Sequence, residues 1–189
     1  MKKVIVTTTI NPPTEAIDAF QAMPDWELVV IGDGPLRASL EALAKSNLQR
    51  YRFLGVQPPE RVREWLGRAR LFSVPSVTAK SGDSEGLPIV ILEAQSMEVP
   101  VVSFRHAGIS EAVAHGTTGL LSDEGDWRGL AANIVGLFKD EAKWRHMCAA
   151  ARQRMVQNFD LARQTRTLEA IYDEVVTSHR KDADRNDNA

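Results

Sequence analysis

Two carboxylates, Glu85 and Glu93, lie on either side of a Gly-Leu-Pro sequence. An apolar run ends at Val74, and the residues from Pro75 to Glu85 are mostly small, polar or charged, which is typical of a surface loop. Proline is favoured in the first turn of a helix, because the N–H that it lacks would have no partner there. The sequence therefore predicts a strand, a loop and a helix, with the two carboxylates roughly 80° apart around the helix axis near its amino-terminal end.

The composition excludes several classes of function. The chain has 189 residues, 43% of them hydrophobic and 25% charged, and a net charge of −2. Nothing in this balance favours nucleic acid or an anionic membrane as a partner, so an anionic ligand must be held locally. The single cysteine, Cys148, cannot form an internal disulfide or a thiolate metal site, and we expect an inert thiol. The four histidines show no metal-ligand spacing, and no metal site is predicted.

Both ends of the chain are polar. The first apolar run, Val4 to Val6, is too short for a signal peptide or a membrane span, so we expect a cytoplasmic protein without a membrane span. Residues 178–189 contain no large apolar side chain. We predict one folded domain over residues 1–176 and a disordered polar tail over residues 177–189.

Between these ends, short apolar runs alternate with helical patterns. The predicted strands are Val4–Val6, Trp26–Ile31, Tyr51–Leu54, Leu71–Val74, Val99–Ser103 and Gly119–Leu121. Three more amphipathic helices are predicted at Asp126–Phe138, Glu141–Asn158 and Leu161–Thr177. Strands that are apolar on both faces indicate a parallel sheet covered on both sides, so the predicted fold is a doubly wound, Rossmann-like α/β fold of about six strands with extra C-terminal helices. Ligands of such folds bind outside the carboxyl ends of the strands.

A series of motifs along residues 26–176 carries a family resemblance. The motifs are Leu28-Val-Val-Ile-Gly-Asp-Gly-Pro-Leu-Arg37, Phe53-Leu-Gly55, Pro75-Ser76, Glu85-Gly-Leu-Pro-Ile-Val-Ile-Leu-Glu93-Ala, Pro100-Val-Val, Gly108-Ile-Ser-Glu111-Ala-Val and Gly116-Thr-Thr-Gly-Leu-Leu121. Each is weak alone, but the ordered series is specific. It resembles the carboxyl-terminal half, which binds the nucleotide-sugar donor, of the group 1 retaining glycosyltransferases. The resemblance implies one half of a GT-B architecture.

The resemblance also implies roles for residues around the Gly-Leu-Pro sequence. Glu93 would accept hydrogen bonds from the ribose hydroxyls of the donor, and Glu85 would face the transferred sugar as the catalytic position. The diphosphate would meet backbone N–H groups at the start of the helix, which agrees with the dipole and the free donors of a helix amino terminus. This segment consists of Gly86, Leu87, Pro88 and Ile89, of which Pro88 has no N–H to give. Without the resemblance, Glu85 is as well explained as a solvated residue at a helix entrance.

Four more donor-binding residues are implied outside that segment. Val56, after Gly55, would lie against the nucleobase, and Gly108 and Glu111 would close the sugar end of the pocket. Lys80, in the loop after the fourth strand, is a candidate to neutralise the diphosphate. The nucleotide sugar would be a substrate, and neither a cofactor nor a metal is expected.

The start of the chain departs from the family. The first strand of this domain normally ends in a Gly-Arg motif with a lysine and a glycine a few residues on, and the two cations neutralise the diphosphate. Here the sequence reads Val6-Thr-Thr-Thr-Ile-Asn-Pro-Pro-Thr-Glu15, and both cations are absent. Residues 1–33 are thus atypical, and residues 3–33 resemble the start of a different glycosyltransferase-like family. Arg61 and Arg63, with Lys80, are the cations that can compensate in part.

Three functions compete. The leading one is a glycosyltransferase that binds a nucleotide-diphosphate sugar for retaining, metal-independent transfer to an unknown acceptor. The alternative is a non-catalytic half-domain or interaction module that needs a partner, either an amino-terminal domain or a second copy, because the apolar face of the final helix is expected to be unsatisfied. A dinucleotide-binding oxidoreductase is disfavoured, since no Gly-x-Gly-x-x-Gly follows the first strand.

Overall fold

Six parallel strands form one sheet with the order β3-β2-β1-β4-β5-β6. The computed structural model describes residues 3–7, 26–79, 81–82 and 84–186, with side chains for those between 26 and 178. The strands are β1 (Lys3–Thr7), β2 (Trp26–Val30), β3 (Tyr51–Phe53), β4 (Ala69–Ser73), β5 (Val101–Phe104) and β6 (Gly119–Ser122). The described helices are α1 (Arg37–Asn47), α2 (Pro59–Leu66), α3 (Ile89–Ser96), α4 (Ile109–Ala112), α5 (Trp127–Lys139), α6 (Glu141–Asn158) and α7 (Leu161–Asn186). The helix predicted after β1, at Glu15–Met23, lies outside the described residues.

The strand order confirms the doubly wound fold. β1 pairs in parallel with both β2 and β4, so the direction of winding reverses between β1 and β4. The central strands are buried on both faces: Leu71 and Phe72 are neighbours on β4, point to opposite sides of the sheet and are both fully buried. In a sheet of this order the ligand crevice lies outside the carboxyl ends of the strands at the reversal. The segment that follows β4 begins at this reversal.

Proline determines two of the element boundaries. β5 begins at Val101, because Pro100 has no N–H for the ladder, although its carbonyl accepts from the N–H of Phe72 at 3.0 Å. α3 begins at Ile89, with Pro88 as its N-cap residue in an extended conformation. Glu85 therefore precedes the helix by four residues. The expected angle of 80° between Glu85 and Glu93 is wrong, since it assumed that both lie on the helix.

The chain divides into two compact units, Met1–Gln153 and Arg154–Ala189. The sequence predicted one domain over residues 1–176 instead. The second unit is almost entirely helical, and helical hydrogen bonds link residues close in sequence, which favours a separate unit. Asp160 caps α7, because its carboxylate accepts from the N–H of Arg163 at 2.9 Å.

α7 reaches beyond the point where the sequence predicted the folded chain to end. Its backbone is helical to Asn186, and residues 177–186 contain neither glycine nor proline, so nothing in the sequence ends the helix earlier. Its large apolar side chains are exposed: Leu161, Leu168, Ile171, Tyr172, Val175 and Val176. Among the described residues, no helix has the length and apolar character needed to span a membrane.

Candidate functional site

The segment from Val74 to Pro88 forms the middle of the candidate site. It leaves the carboxyl end of β4 and leads into α3. Glu85 and Gly86 are exposed, whereas Pro88 is buried. The hydroxyl of Ser76, which is buried, lies 3.4 Å from Glu85 Oε2 and donates to it. Glu85, the catalytic position implied by the resemblance, therefore lies where the winding direction of the sheet reverses, and its carboxylate is exposed to solvent.

The amino-terminal end of α3 has free donors. No side chain of the described residues caps it, and the first backbone bond at this end runs from the N–H of Ile91 to the carbonyl of Pro88 at 3.0 Å. The N–H groups that precede Ile91 in the first turn thus point beyond the helix end. Leu87 is half-buried and the Ile89 side chain is exposed, so the backbone here is accessible. Such a helix end can bind an anion through amides and dipole together.

Glu93 lies on the exposed side of α3. Ile91 and Ala94 are fully buried, while Glu93 is exposed. Because it is exposed, the carboxylate needs no partner within the protein. Among the residues that the structure describes, none forms a hydrogen bond or ion pair with this carboxylate. Both of its oxygens are therefore available to ligand hydroxyls.

The loop after β5 lies directly against the start of α3. The N–H of Gly108 donates to the carbonyl of Gly86 at 2.7 Å. A Cβ atom on Gly108 would lie 3.0 Å from that carbonyl oxygen, which explains why glycine is needed here. Glu111, on α4, is exposed. The structure thus brings Gly108 against Gly86, the residue that follows Glu85.

The loops after β2 and β3 meet through two glycines. The N–H of Gly32 donates to the carbonyl of Gly55 at 2.8 Å, and both residues have positive φ. Val56 follows and is 78% exposed, so its side chain is free to contact a ligand. Arg61 and Arg63 form exposed ion pairs with glutamates of their own helix, α2. Lys80 lies outside the described residues.

His106 connects three loops that sequence reasoning did not link. It is buried, with its Nδ1 2.8 Å from Glu124 Oε2 and its Nε2 3.0 Å from the hydroxyl of Ser84. Glu124 Oε1 accepts from the N–H of Thr78 at 2.6 Å. In the sequence, His106 is a lone histidine at a strand end, and such a residue usually lies on the surface. Its partners are 18 and 22 residues away, so no local pattern could have identified them.

These bonds predict a pH effect on stability. The hydrogen bond from Thr78, followed by that from His106, holds the pKa of Glu124 below its usual value of 4.5. A carboxyl with a depressed folded-state pKa contributes stability above its unfolded-state pKa, and this contribution is lost as the pH falls through the folded-state value. We expect the wild type to lose more stability than Glu124→Gln on acidification below about pH 5. Urea unfolding across a pH series measures this, and parallel stability curves would contradict it.

A cavity of about 620 Å³ lies at the other end of the strands. It is next to Ala69, the first residue of β4, and Val99, just before β5, so it is remote from the carboxyl-end rim. The guanidinium of Arg70 packs over the ring of Trp144 at 3.7 Å and pairs with Glu141 at 2.6 Å. Because Arg70, the buried cation at this cavity, is already paired, we assign the cavity to packing.

Cys148 lines the same cavity and is predicted to be unreactive. Burial raises the pKa of its thiol to about 11. Because the thiolate is the nucleophile, we expect labelling by a disulfide reagent near pH 7.5 to be about 300-fold slower than for a free cysteine. Absorbance of the released thiolate measures the rate, with the denatured chain as the fast control. Rapid labelling of the native protein would refute the prediction.

Sequence comparison connects this geometry to a family. The profile of the family described as "Glycosyl transferases group 1" matches residues 5–140. An amylovoran biosynthesis glycosyltransferase of Erwinia amylovora is 36% identical over 137 residues, which are 71% of this chain and 34% of that protein. An N-acetyl-alpha-D-glucosaminyl L-malate synthase of Bacillus anthracis is 34% identical over 155 residues, 80% of this chain and 38% of that protein. The chain thus spans about a third of the length of these curated relatives.

Solved structures agree on the fold. The Anabaena protein HepE in complex with UDP and glucose has a TM-score of 0.76 at 22% identity, over 91% of this chain and 48% of that one. A sucrose-phosphate synthase of Thermosynechococcus elongatus has a TM-score of 0.75 at 22% identity, over 94% of this chain and 46% of that one. The expected half of a GT-B architecture is therefore confirmed.

The family match also settles the status of the atypical first residues. It begins at residue 5, so most of the segment 1–33 lies within the family's domain even though it lacks the two cations. β1, in this segment, is a central strand of the sheet. The profile match, the relatives and the shared fold together show that this chain belongs to the group 1 glycosyltransferases.

Proposed function

We propose that this chain binds the nucleotide-diphosphate sugar donor of a glycosyltransferase. The observation that carries the proposal is the arrangement at the carboxyl end of β4. There Glu85 and Glu93, both exposed, lie on either side of the uncapped amino-terminal end of α3. The site is at the reversal of the sheet, where open α/β folds bind ligands. HepE binds UDP and glucose, and other relatives are named GDP-mannose-dependent, so we expect a donor of this chemical class.

Each part of the site has a task in this proposal. The N–H groups of Gly86, Leu87 and Ile89 would hold the diphosphate and stabilise the charge that develops on it as it leaves. Glu93 would bind the ribose, and Glu85 the transferred sugar.

Residues on the neighbouring loops would complete the pocket. Val56 would contact the base, and Gly108 and Glu111 would close the sugar end. Lys80 would supply part of the missing positive charge.

The proposed reaction is a retaining transfer without a metal ion. The acceptor would attack the sugar on the face from which the diphosphate departs, so the configuration of the sugar carbon is kept. The amides at the start of α3 would provide the charge stabilisation that metals provide elsewhere. Because the chain spans about a third of its curated relatives, the acceptor site and turnover require further protein.

Calorimetry tests the proposal directly. We expect the chain to bind one of UDP, GDP or ADP and its sugar derivative, with or without EDTA. The same titrations with Glu93→Ala should give weaker binding. If none of the three nucleotides or their sugars binds, the donor-site proposal is wrong.

A second candidate is a binding module without catalysis. It is favoured by the absence of the arginine and lysine after β1 and by the exposed apolar face of α7. Such a module would bind donor weakly and act through a partner, either an amino-terminal domain or a second copy. Sedimentation of the chain alone and with a copurifying partner, combined with an assay of donor turnover, separates the two: turnover in a two-chain complex favours the enzyme.

A further inference from the structure

His106 and Glu124 together hold two points of the segment that follows β4. At one point, the N–H of Thr78 donates to Glu124 Oε1 at 2.6 Å. At the other, the hydroxyl of Ser84 lies 3.0 Å from His106 Nε2. The bond of 2.8 Å between His106 Nδ1 and Glu124 Oε2 connects the two. We call Thr78, Ser84, His106 and Glu124 the loop clip.

The partners in the loop clip determine the direction of its bonds. A carboxylate only accepts hydrogen bonds, so the proton of a neutral His106 ring lies on Nδ1 and is donated to Glu124. Nε2 is then an acceptor, and the hydroxyl of Ser84 must donate to it. The lone pairs of the Ser84 hydroxyl oxygen take no part in this bond. The ring has little freedom to move, because only 5% of His106 is exposed.

The loop clip acts next to the reacting end of the proposed site. Ser84 precedes Glu85, which is exposed and accepts a long hydrogen bond of 3.4 Å from the hydroxyl of Ser76. Gly86, which follows, is fixed from the same side by the N–H of Gly108, two residues after His106. The chain on both sides of Glu85 is therefore attached to the loop after β5, while Glu85 itself is held weakly.

We propose that His106 is a positioning residue for the sugar end of the donor site: it fixes Ser84, and thereby Glu85, while Glu124 and Thr78 anchor it. The inference rests on the proposed function, since it concerns the same site. It predicts that the loop clip matters for the sugar and much less for the nucleotide. A histidine that only stabilises the fold would affect both ligands alike.

The test compares UDP-glucose with UDP, and GDP-mannose with GDP, by calorimetry. We expect Ser84→Ala and His106→Gln to weaken binding of the sugar nucleotide about 3- to 10-fold, the effect of one lost hydrogen bond, and to change binding of the nucleotide less than about 2-fold. Ser84 is exposed, so its substitution tests the clip even if His106→Gln does not fold. His115→Gln is the control, because His115 Nδ1 accepts from the N–H of Leu121 at 2.9 Å, outside the loop clip. It should lower the melting temperature without changing the ratio of the two affinities.

A double-mutant cycle tests whether Ser84 affects sugar binding through Glu85. In a Glu85→Ala background, we expect Ser84→Ala to have no further effect on UDP-glucose binding, because the group that it positions is gone. If the effects of Ser84→Ala and Glu85→Ala on UDP-glucose binding are additive, the inference is wrong. It is also wrong if Ser84→Ala keeps the wild-type ratio of sugar-nucleotide affinity to nucleotide affinity. Both results leave the proposed function intact if the wild type binds. Failure of the wild type to bind any of these ligands would overturn the proposed function and this inference with it.

Discussion

Glu93→Ala is expected to weaken nucleotide-diphosphate binding about 10- to 100-fold, the cost of losing hydrogen bonds to a charged acceptor. The carboxylate is exposed and has no partner among the described residues, so its removal leaves no buried group unsatisfied. The folded protein should therefore keep its melting temperature. Calorimetric titration of wild type and variant with UDP and GDP measures the loss.

Glu98→Ala is the matched control for this prediction. Glu98 is an exposed carboxylate just beyond the opposite end of α3, next to the cavity near the amino ends of β4 and β5. Its removal changes the net charge by the same amount and should alter the affinity less than about 2-fold, since exposed charges at this distance are largely screened. Equal affinities of Glu93→Ala and wild type would remove Glu93 from the donor site.

Gly119→Ala is expected to cause the largest loss of stability. Gly119 begins β6 and is paired with Val101 on β5. A Cβ atom here would overlap the carbonyl oxygen of Val101 and lie 2.7 Å from Val113 Cγ1. Because backbone cannot move aside as a side chain can, β6 must shift, and we expect a loss of about 3 kcal/mol. For a chain of this size, that lowers the melting temperature by about 6–12 °C.

Gly136→Ala is expected to increase the stability of the protein. Gly136 is exposed on α5, and a Cβ atom there would have no neighbour within 4 Å. Alanine should stabilise the helix by about 0.5–1 kcal/mol, since glycine is a poor helix former. Thermal and urea unfolding of both variants give the comparison. A Gly119→Ala protein as stable as the wild type would show that β6 tolerates a side chain at this pairing.

The fold class could be predicted because most of the described strands contain an apolar run and are followed by a turn or a helix. The strand order could not, since the pairing of β1 with β4 connects Ile5 with Leu71 and depends on the tertiary structure. The relation of Glu85 to Glu93 could not be predicted either, because Gly86 and Leu87 precede Pro88 without entering α3. Local composition identifies an element more readily than its first residue.

The candidate site could be predicted in part for a similar reason. Glu85, Gly86 and Glu93 belong to one continuous motif, so a resemblance in sequence identifies them together. The bonds of His106 to Ser84 and Glu124 join three loops, and only the folded sheet brings these loops to one edge. The exposure of Glu93 does not follow from its apolar neighbours in sequence, because Ile91 and Ala94 lie on another side of α3.

The central position of β1 has a consequence for how the chain folds. β1 precedes the other strands of this sheet along the chain, and its pairing with β4 closes a chain loop of more than sixty residues. Closing such a loop costs conformational entropy before the contacts repay it, so strand pairs of this kind form slowly. The pairs of β1 with β2 and of β4 with β5 enclose shorter stretches of chain. The two halves of the sheet can therefore form early and join late, and the line along which they join is the one that ends at the candidate site.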